Sequence, residues 1–244
     1  MNILLFDQSE LKNNQLILND RRAEHIRKIL RAGCNDQLKV GRINGPTGRA
    51  TIREINKKQV VLHVDVSGPP PPRPATGLVL ALPRPIMLKR ILSQASTLGV
   101  DAIYLINSQR VEKSFFHASL LEEENMRPHL LHGLEQAGDT RLPQISIHQR
   151  FKPFIEDLLP KIAKEFPARL VAHPEAGSSL PELVKIPLQR KALLAIGPEG
   201  GWIDYEIDKF REQGFCPFSM GPRILRVDTA VISLLSQLDL LRKF

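Results

Sequence analysis

Cysteine and long apolar runs are scarce in this sequence, and each scarcity excludes a class of protein. The two cysteines, Cys34 and Cys216, lie far apart and form no CxxC pair. They exclude a disulfide framework and favour a reduced, cytoplasmic protein. No apolar run approaches the roughly 18 residues of a membrane span. Because residues 1–7 lack a basic stretch and a small-residue cleavage site, we expect a first β-strand there and no signal peptide.

A metal-ligand pattern is also missing. Seven histidines are scattered along the chain, and His129 and His132 are the two that could share a helix face. No HExxH motif and no cysteine partner accompanies them. We therefore expect solvated or structural histidines and no metal site.

Positive charge is what the sequence has in excess. Lysine and arginine number 34 against 26 acidic residues, a formal net charge of +8. Such a chain accumulates near phosphates, because neutralising them releases counterions. A cationic protein without a nucleic-acid partner remains equally consistent with charge alone.

A proline run divides the chain. Five of the six residues 69–74 are proline, which favours a stiff polyproline spacer and excludes a helix or a central strand. We therefore predict one domain over residues 1–68 and a second over residues 75–244.

Short β-type runs separated by turn residues fill the first segment. Asn44-Gly45 supplies hairpin chemistry between two of them. This pattern predicts a compact β-barrel with one helix. The predicted strands are residues 1–6, 15–18, 37–40, 48–55 and 59–66.

The predicted helix of this segment, residues 20–32, has one cationic side. Asn19 or Asp20 would cap it and Gly33 would end it. Arg22 falls among the apolar residues and does not fit, and Glu24 offsets little of the charge. We expect a phosphate-facing surface, although a merely solvated face stays open. The apolar side holds Ala23, Ile26, Ile29 and Leu30, and the opposite side holds Arg21, Arg27, Lys28 and Arg31.

Strands and helices alternate in the second segment. Because buried continuous strands that alternate with helices are typical of covered parallel sheets, we predict an α/β fold with helices on both faces. The predicted strands are 77–82, 101–106, 144–148, 169–173, 191–196 and 215–220. The predicted helices are 86–98, 119–137 with a break near Pro128, 153–165, 204–213 and 228–242.

Two glycine-containing loops late in this segment are candidates for a ligand site, since such sheets bind ligands beyond the carboxyl ends of their strands. The first, residues 197–201, follows a predicted strand and has three glycines. It is neither a Walker A loop nor GxGxxG, and a tight turn would explain it equally well.

The second loop, residues 220–230, leads into the last predicted helix. Asp228 and Thr229 are good capping residues, and capping alone could explain them. Arg226 stands just before a helix N-terminus, where the dipole disfavours a cation, so it indicates a carboxylate or RNA partner. A Rossmann-type methyltransferase would carry its glycine loop after the first strand, where this chain has Pro83-Arg84-Pro85.

At these residues the chain resembles the RsmE family of the SPOUT superfamily, enzymes that methylate N3 of a uridine in small-subunit (16S) ribosomal RNA. The resemblance covers nearly the whole chain. Its motifs are Gly197-Pro198-Glu199-Gly200-Gly201, the run Gly221-x-x-Ile224-Leu225-Arg226-x-Asp228-Thr229-Ala230, His25 with Ile29-Leu30-Arg31, Leu98-Gly99-Val100, Ser108-x-Arg110, Glu135-Gln136 and Arg141-x-Pro143.

The resemblance implies an N-terminal PUA-like barrel that binds RNA and a methyltransferase domain whose last helix passes through a trefoil knot. It also implies a homodimer and S-adenosylmethionine as the cofactor. The implied cofactor-binding residues are Ala195, Ile196, Gly197, Glu199, Gly200, Gly201, Met220, Gly221, Ile224 and Leu225.

Residue roles follow from the resemblance and from the chemistry of uridine. We expect Arg226 and Asp228 to be catalytic, and we expect RNA contacts from Arg21, Arg27, Lys28, Arg31 and Arg110. Two other functions stay open: an RNA-binding protein that keeps an inactive cofactor pocket, and a nucleotide-binding protein that uses residues 197–201 for phosphate.

The chain departs from the family pattern at four places. It has Pro83-Arg84-Pro85 where common members have Lys-Gly-Asp, and Thr97, Gln109 and Asp228 where they have glutamate. These departures concern the RNA side of the site more than the cofactor side.

Overall fold

The computed structural model describes residues 1–184, 187–188 and 191–243. They form two compact units. Unit 1 consists of Met1–Arg73 together with Leu131–Leu142, and unit 2 consists of Pro74–Leu130 and the chain from Pro143 onward. The proline run lies at the end of the first segment, close to where the sequence predicts a boundary. The return of residues 131–142 to unit 1 was not expected.

Unit 1 contains a six-stranded mixed sheet in the order β1-β4-β5-β6-β3-β2. Only β1 and β4 pair in parallel, and the other neighbours are antiparallel. No pairing joins β1 to β2 in the described part of the chain, so the sheet is curled without being hydrogen-bonded into a closed barrel. The strands are β1 Leu4–Phe6, β2 Leu11–Lys12, β3 Gln15–Leu18, β4 Gln37–Arg42, β5 Thr47–Ile55 and β6 Val60–Val66.

The first strand is apolar at every position because both of its faces are covered. Leu4 and Phe6 belong to the main core of unit 1. Ile3 and Leu5 point the other way, since side chains alternate along a strand, and they pack with Leu134 in a second cluster. Residues 131–142 thus complete the core of unit 1.

The helix of unit 1 is shorter and more irregular than predicted. Helix α1, Arg21–His25, begins after Asp20, whose side chain accepts a hydrogen bond from the Arg22 backbone N–H, so that the predicted cap is confirmed. It continues as a π-helical turn, Ile26–Leu30, and ends at Arg31, which has a φ of 51°. Gly33 therefore does not end the helix, and that prediction was wrong.

The π-helical turn also changes which residues are buried. Ile29 and Leu30, which we expected on the apolar side, are 67% and 43% exposed. A π-helical turn holds more residues than an α-helical one, so it rotates the residues that follow away from the positions a regular wheel assigns. Ala23, which precedes the π-helical turn, and Ile26, which begins it, are buried as predicted.

Arg22, the exception on the helical wheel, lies in a polar cluster. Its guanidinium donates to the Asp20 carboxylate at 2.7 Å, to Glu10 at 3.2 Å and to the Leu5 carbonyl oxygen at 2.8 Å. Burial raises the pKa of the Glu10 and Asp20 carboxyl groups, but hydrogen bonds from Arg22 outweigh it and hold both pKa values below their ordinary range. An arginine on the apolar side is thus satisfied by two acids.

Unit 2 contains a six-stranded sheet in the order β12-β10-β11-β7-β8-β9. Every neighbouring pair is parallel, which confirms the predicted parallel sheet. Every residue of β7 and β11 is buried. Since successive side chains point to opposite faces, both faces of the sheet are covered at these strands. The strands are β7 Thr76–Ala81, β8 Val100–Ile106, β9 Gln144–His148, β10 Ala168–Ala172, β11 Ala192–Ile196 and β12 Cys216–Phe218.

The helices of this segment follow the predicted order. Pro128 lies inside α3 without interrupting it, contrary to expectation. A π-helical turn, Phe154–Leu158, separates α4 from α5 where one continuous helix was predicted. No helix among the described residues is long and apolar enough to cross a membrane. The helices are α2 Pro85–Thr97, α3 Glu123–Ala137, α4 Phe151–Pro153, α5 Leu159–Ile162, α6 Leu180–Leu183, α7 Asp204–Glu212 and α8 Val227–Lys243.

Candidate functional site

A cavity lies at the carboxyl ends of β10, β11 and β12, which are neighbours in the sheet of unit 2. Residues 172–175, 196–202 and 218–221, which follow these strands, line it together with the start of α8. Its volume is about 310 Å³, at the lower end of the roughly 300–1,000 Å³ typical of small-molecule sites. The topology therefore brings the two predicted glycine loops to one cavity.

Nine of the ten residues predicted to bind a cofactor line this cavity. The tenth, Ala195, is fully buried within β11 and does not reach the cavity wall. The nine residues are Ile196, Gly197, Glu199, Gly200, Gly201, Met220, Gly221, Ile224 and Leu225.

Two glycines of this cavity allow a close approach by a neighbouring side chain, and a third adopts an unusual backbone conformation. A Cβ on Gly197 would lie 3.2 Å from the Trp202 ring, and one on Gly200 would lie 3.0 Å from Arg110 Cδ. Gly221 has a φ of 113°, which side-chain-bearing residues rarely adopt, and a Cβ there would meet nothing within 4 Å. At Gly200 the close neighbour is thus an arginine side chain of the protein itself.

Two buried polar atoms in the cavity wall lack hydrogen-bond partners among the described residues. They are Nδ1 of His173 and Nε1 of Trp202. Leaving a buried polar group unpaired is costly, so such atoms indicate that a polar ligand completes the wall. The sequence analysis missed His173, although its position directly after β10 obeys the same strand-end rule that identified the glycine loops.

Arg110, expected to contact RNA, lines this cavity. Its guanidinium donates to the Gly200 carbonyl oxygen. The preceding residue is held as well: the Gln109 backbone N–H donates to the carboxylate of Glu206 at 2.7 Å, and Glu206 is only 2% exposed. The buried Glu206 carboxylate therefore holds Gln109, and with it Arg110, beside residues 200 and 201.

Glu199 joins the cavity to the loop after β7. Its carboxylate accepts a hydrogen bond from the Arg84 backbone N–H at 3.2 Å. Arg84 belongs to the segment in which this chain departs from the Lys-Gly-Asp pattern. Although its side chains differ from that pattern, this segment still offers Glu199 a hydrogen bond from the Arg84 backbone N–H.

Arg226 and Asp228, expected to be catalytic, do not line the cavity. Arg226 is exposed directly before α8, and its carbonyl oxygen accepts from the Ala230 N–H. The Asp228 carboxylate accepts from the Thr229 N–H at 2.9 Å. In the part of the chain that the structure describes, the two side chains are not paired with each other. Because α8 begins at Val227, Asp228 lies within its first turn and is not its cap.

The cations of unit 1 that we predicted to bind RNA differ in whether an acidic side chain already neutralises their charge. Both guanidinium N–H groups of Arg21 donate to Glu135, at 3.0 and 2.7 Å, and Lys28 pairs with Glu24 one helical turn away. Arg27 donates to the Asn56 carbonyl oxygen and keeps its charge unneutralised by that contact. Residues 131–142 thus bring an acid to a surface that looks more cationic in the sequence.

Cys34 and Cys216 are free and exposed. Within residues 1–184, 187–188 and 191–243, no three His, Cys, Asp or Glu side chains come together as a metal-binding group.

Comparison with known proteins places this geometry in a class. The RNA methyltransferase domain family matches residues 70–239. A crystal structure of a ribosomal RNA small subunit methyltransferase E from Neisseria gonorrhoeae, bound to S-adenosyl methionine, has a TM-score of 0.75. At 19% identity over 98% of each chain, it shows that the fold is shared. The chain is thus an RNA methyltransferase by class.

The sequence relatives narrow the class. Ribosomal RNA small subunit methyltransferase E of Treponema pallidum is 33% identical over 94% of this chain and 87% of its own length. Ribosomal RNA small subunit methyltransferase E 1 of Borreliella burgdorferi is 28% identical over 96% of this chain and 95% of its own. This chain belongs to the RsmE family.

Proposed function

We propose that this chain transfers the methyl group of S-adenosylmethionine to N3 of a specific uridine in small-subunit (16S) ribosomal RNA. The observation that carries the proposal is the cavity at the ends of β10, β11 and β12, which collects both glycine loops and two unpartnered polar atoms. Family membership supports the reaction, and the name of the Treponema relative supports the RNA class.

The residues present fit the cofactor. Met220, Ile224 and Leu225 offer an apolar wall, while His173 and Trp202 offer hydrogen bonds that would otherwise be lost. Such a combination of apolar surface and a few polar groups is typical of small-molecule sites. When bound, S-adenosylmethionine supplies an electrophilic methyl group on its sulfonium.

Arg226 would assist the loss of the N3 proton from uridine. N3 is a poor nucleophile until this proton leaves, and a guanidinium near the uracil carbonyl oxygens would stabilise the developing anion. Its exposure leaves Arg226 free to meet an RNA base. Asp228 would accept the proton or orient Arg226 once RNA is bound.

Unit 1 would serve as a PUA-like RNA-binding domain. Arg27 and Arg31 are its best candidates for phosphate contacts, because Arg21 and Lys28 already have acidic partners. Arg110 would complete the RNA side of the cavity from unit 2.

A homodimer would complete the site. Arg226 stands outside the cavity wall, so the wall on that side would come from a second copy, next to the knotted C-terminal helix that the family resemblance implies. The protein would act in the cytoplasm, on the RNA or on the assembled small subunit.

Incubation of the pure protein with radiolabelled S-adenosylmethionine and unmethylated small-subunit RNA tests the proposal. Label should appear in the RNA at a single uridine, at N3 by mass spectrometry of the nucleosides. Assembled subunits should be offered in parallel, since either form can be the substrate. Tight binding of both ligands without label in RNA would instead support an RNA-binding protein with an inactive pocket.

A further inference from the structure

A second cavity of unit 2 borders the first. It lies at the carboxyl end of β8 and has a volume of about 390 Å³. The same two chain segments line both cavities: Arg110 and Trp202 face the first, and Gln109 and Ile203 face the second. A molecule in the second cavity would therefore lie beside the cofactor cavity.

Two buried polar atoms of this cavity have no hydrogen-bond partner among the described residues. Ser108 is 4% exposed, and its Oγ is unpartnered. The side-chain N–H of Asn107 donates to the Gln149 carbonyl oxygen at 3.0 Å, while its Oδ1 is left unpaired. A hydroxyl and an amide carbonyl oxygen can together pair with a group that has both N–H and C=O, as the edge of a nucleobase has.

Positive charge faces this cavity. Lys113 and Lys152 line it, and the Lys152 ammonium lies 4.0 Å from the Glu156 carboxylate. Glu206 lines it too, but its oxygens accept the backbone N–H groups of Gln109 and Ile203 at 2.7 and 3.1 Å. The net character of the wall thus suits an anion such as a phosphate.

An exposed aromatic ring completes the wall. Tyr205 is 48% exposed. Aromatic residues make up only 5% of the chain, so an exposed ring in a cavity wall is a distinctive feature. Its ring centroid lies 6.4 Å from that of Phe151, so the two rings form a supported apolar surface. Exposed aromatic rings beside lysines are how proteins stack unpaired bases.

From these features we infer that the second cavity binds the RNA nucleotide next to the methylated uridine. The base stacks on Tyr205, its edge pairs with Asn107 and Ser108, and the flanking phosphates meet Lys113 and Lys152. This inference rests on the proposed function, because it concerns the substrate of the same site.

The test compares the full-length wild type with Tyr205→Ala, Tyr205→Phe and the double variant Lys113→Ala/Lys152→Ala. Lys161→Ala/Lys164→Ala, which removes two exposed lysines elsewhere in unit 2, is the matched control. Affinity for a fluorescent, unmethylated small-subunit RNA is measured by anisotropy over a range of salt concentrations. S-adenosylmethionine affinity, KM for RNA and kcat are measured in parallel.

Tyr205→Ala should weaken RNA binding and raise KM for RNA by about tenfold, with kcat and cofactor affinity within about twofold of wild type. Tyr205→Phe should restore both. The double lysine variant should reduce the slope of log K against log salt by about 1.5, and the control should not.

Unchanged RNA affinity in Tyr205→Ala, with a salt slope in the lysine variant equal to that of the control, would overturn the inference. So would dissociation of a dimer by Tyr205→Ala in sedimentation, because a second copy would then cover this face. Should the wild type bind RNA without methylating it, the proposed reaction fails, while the binding comparison still decides the role of the cavity.

Discussion

Three glycines of the first cavity, which we propose binds the cofactor, have different physical reasons for lacking a side chain. Gly197 makes room for the Trp202 indole and Gly200 for the Arg110 side chain, whereas Gly221 adopts a φ of 113°. Composition alone predicts a loop that approaches a ligand closely. The structure adds that two of the three glycines first make room for side chains of the protein, so a bulky residue there would disturb the wall before it met the cofactor.

Ile224 allows the cleanest test of the cofactor cavity. It lines the cavity and is 84% exposed, so the folded chain gains little from it without a ligand. We expect Ile224→Ser to weaken S-adenosylmethionine binding about tenfold, since a cofactor would bury roughly half of an isoleucine side chain. Isothermal titration calorimetry measures the affinity. Thermal unfolding without cofactor should be unchanged, and unaltered affinity would place the cofactor elsewhere.

Arg226 carries the catalytic prediction. Because it stands outside the cavity wall, Arg226→Ala should leave cofactor affinity intact. Loss of one oxyanion-stabilising donor typically costs about 10² to 10³ in rate, and we expect that loss in single-turnover methylation of unmethylated subunits. Arg226→Lys should recover little, since an ammonium cannot reproduce the planar guanidinium. Methylation near the wild-type rate in Arg226→Ala would exclude this residue from the mechanism.

At the scale of elements, the π-helical turn after α1 shows how a local irregularity changes which side chains a helix exposes. The rotation exposes Ile29 and Leu30 beside Arg31, which holds a φ of 51°. The face we expected to be mainly cationic therefore combines apolar groups, cations paired with acids and the two arginines at positions 27 and 31.

RNA binding by this element should depend on Arg27 and Arg31. The variant Arg27→Ala/Arg31→Ala should reduce the salt slope of log K by up to about two units, roughly one per lost phosphate contact. Lys28→Ala should change the slope less, because Lys28 already pairs with Glu24. Equal slopes in all three proteins would mean that this face is only solvated. Anisotropy with small-subunit RNA supplies the measurement.

The cluster of Arg22, Glu10 and Asp20 predicts that the free energy of unfolding depends on pH. The pKa values of Glu10 and Asp20 are lowered in the folded chain, so their contribution is full above the unfolded values of about 4 and is lost as pH falls through the folded values. Arg22→Met should destabilise unit 1 by about 1–3 kcal/mol at pH 7, a figure reduced from buried-pair values because both acids are partly exposed.

This difference should shrink as the pH falls below about 4 and through the lowered pKa values of the two acids, because a protonated carboxyl group no longer pairs with the arginine. Urea unfolding at several pH values measures it, with Lys12→Met as the control at an exposed lysine. A difference that is as large at pH 3 as at pH 7 would show that packing of the arginine, and not its charge, is what stabilises the fold.

Much of each element was predictable, and the failures have physical causes. β7 and β11 were found because strands buried on both faces are continuous apolar runs, and the glycine loops because ligands bind at strand ends. The π-helical turn has no signature in an apolar pattern. The Arg21–Glu135 pair joins residues 114 positions apart. The place of His173 in the cavity wall depends on which three strands are neighbours in the sheet.

At the scale of the whole molecule, the proposed dimer has the most consequence for the site. Arg226 and Asp228 do not line the cavity of one chain, and we propose that a second copy supplies the wall on that side. We expect sedimentation equilibrium to give a dimer at micromolar concentration. At S-adenosylmethionine concentrations too low to saturate Ile224→Ser, a mixture of Arg226→Ala and Ile224→Ser chains should be more active than either variant alone if each site draws on two copies. A fully active monomer would contradict the dimer.

Residues 131–142, the second segment of unit 1, limit how this chain can be divided into fragments. A fragment cut at the proline run would keep all six strands of its sheet, yet it would lose Leu134 from beside Ile3 and Leu5 and Glu135 from beside Arg21. It would also lose the Thr140 hydroxyl that donates to the Gly45 carbonyl oxygen. The proline run resembles a domain boundary at which the chain could be divided. However, residues on its two sides share one compact unit, so the two parts cannot be exchanged independently. Any graft of the N-terminal part onto another enzyme has to carry residues 131–142 with it.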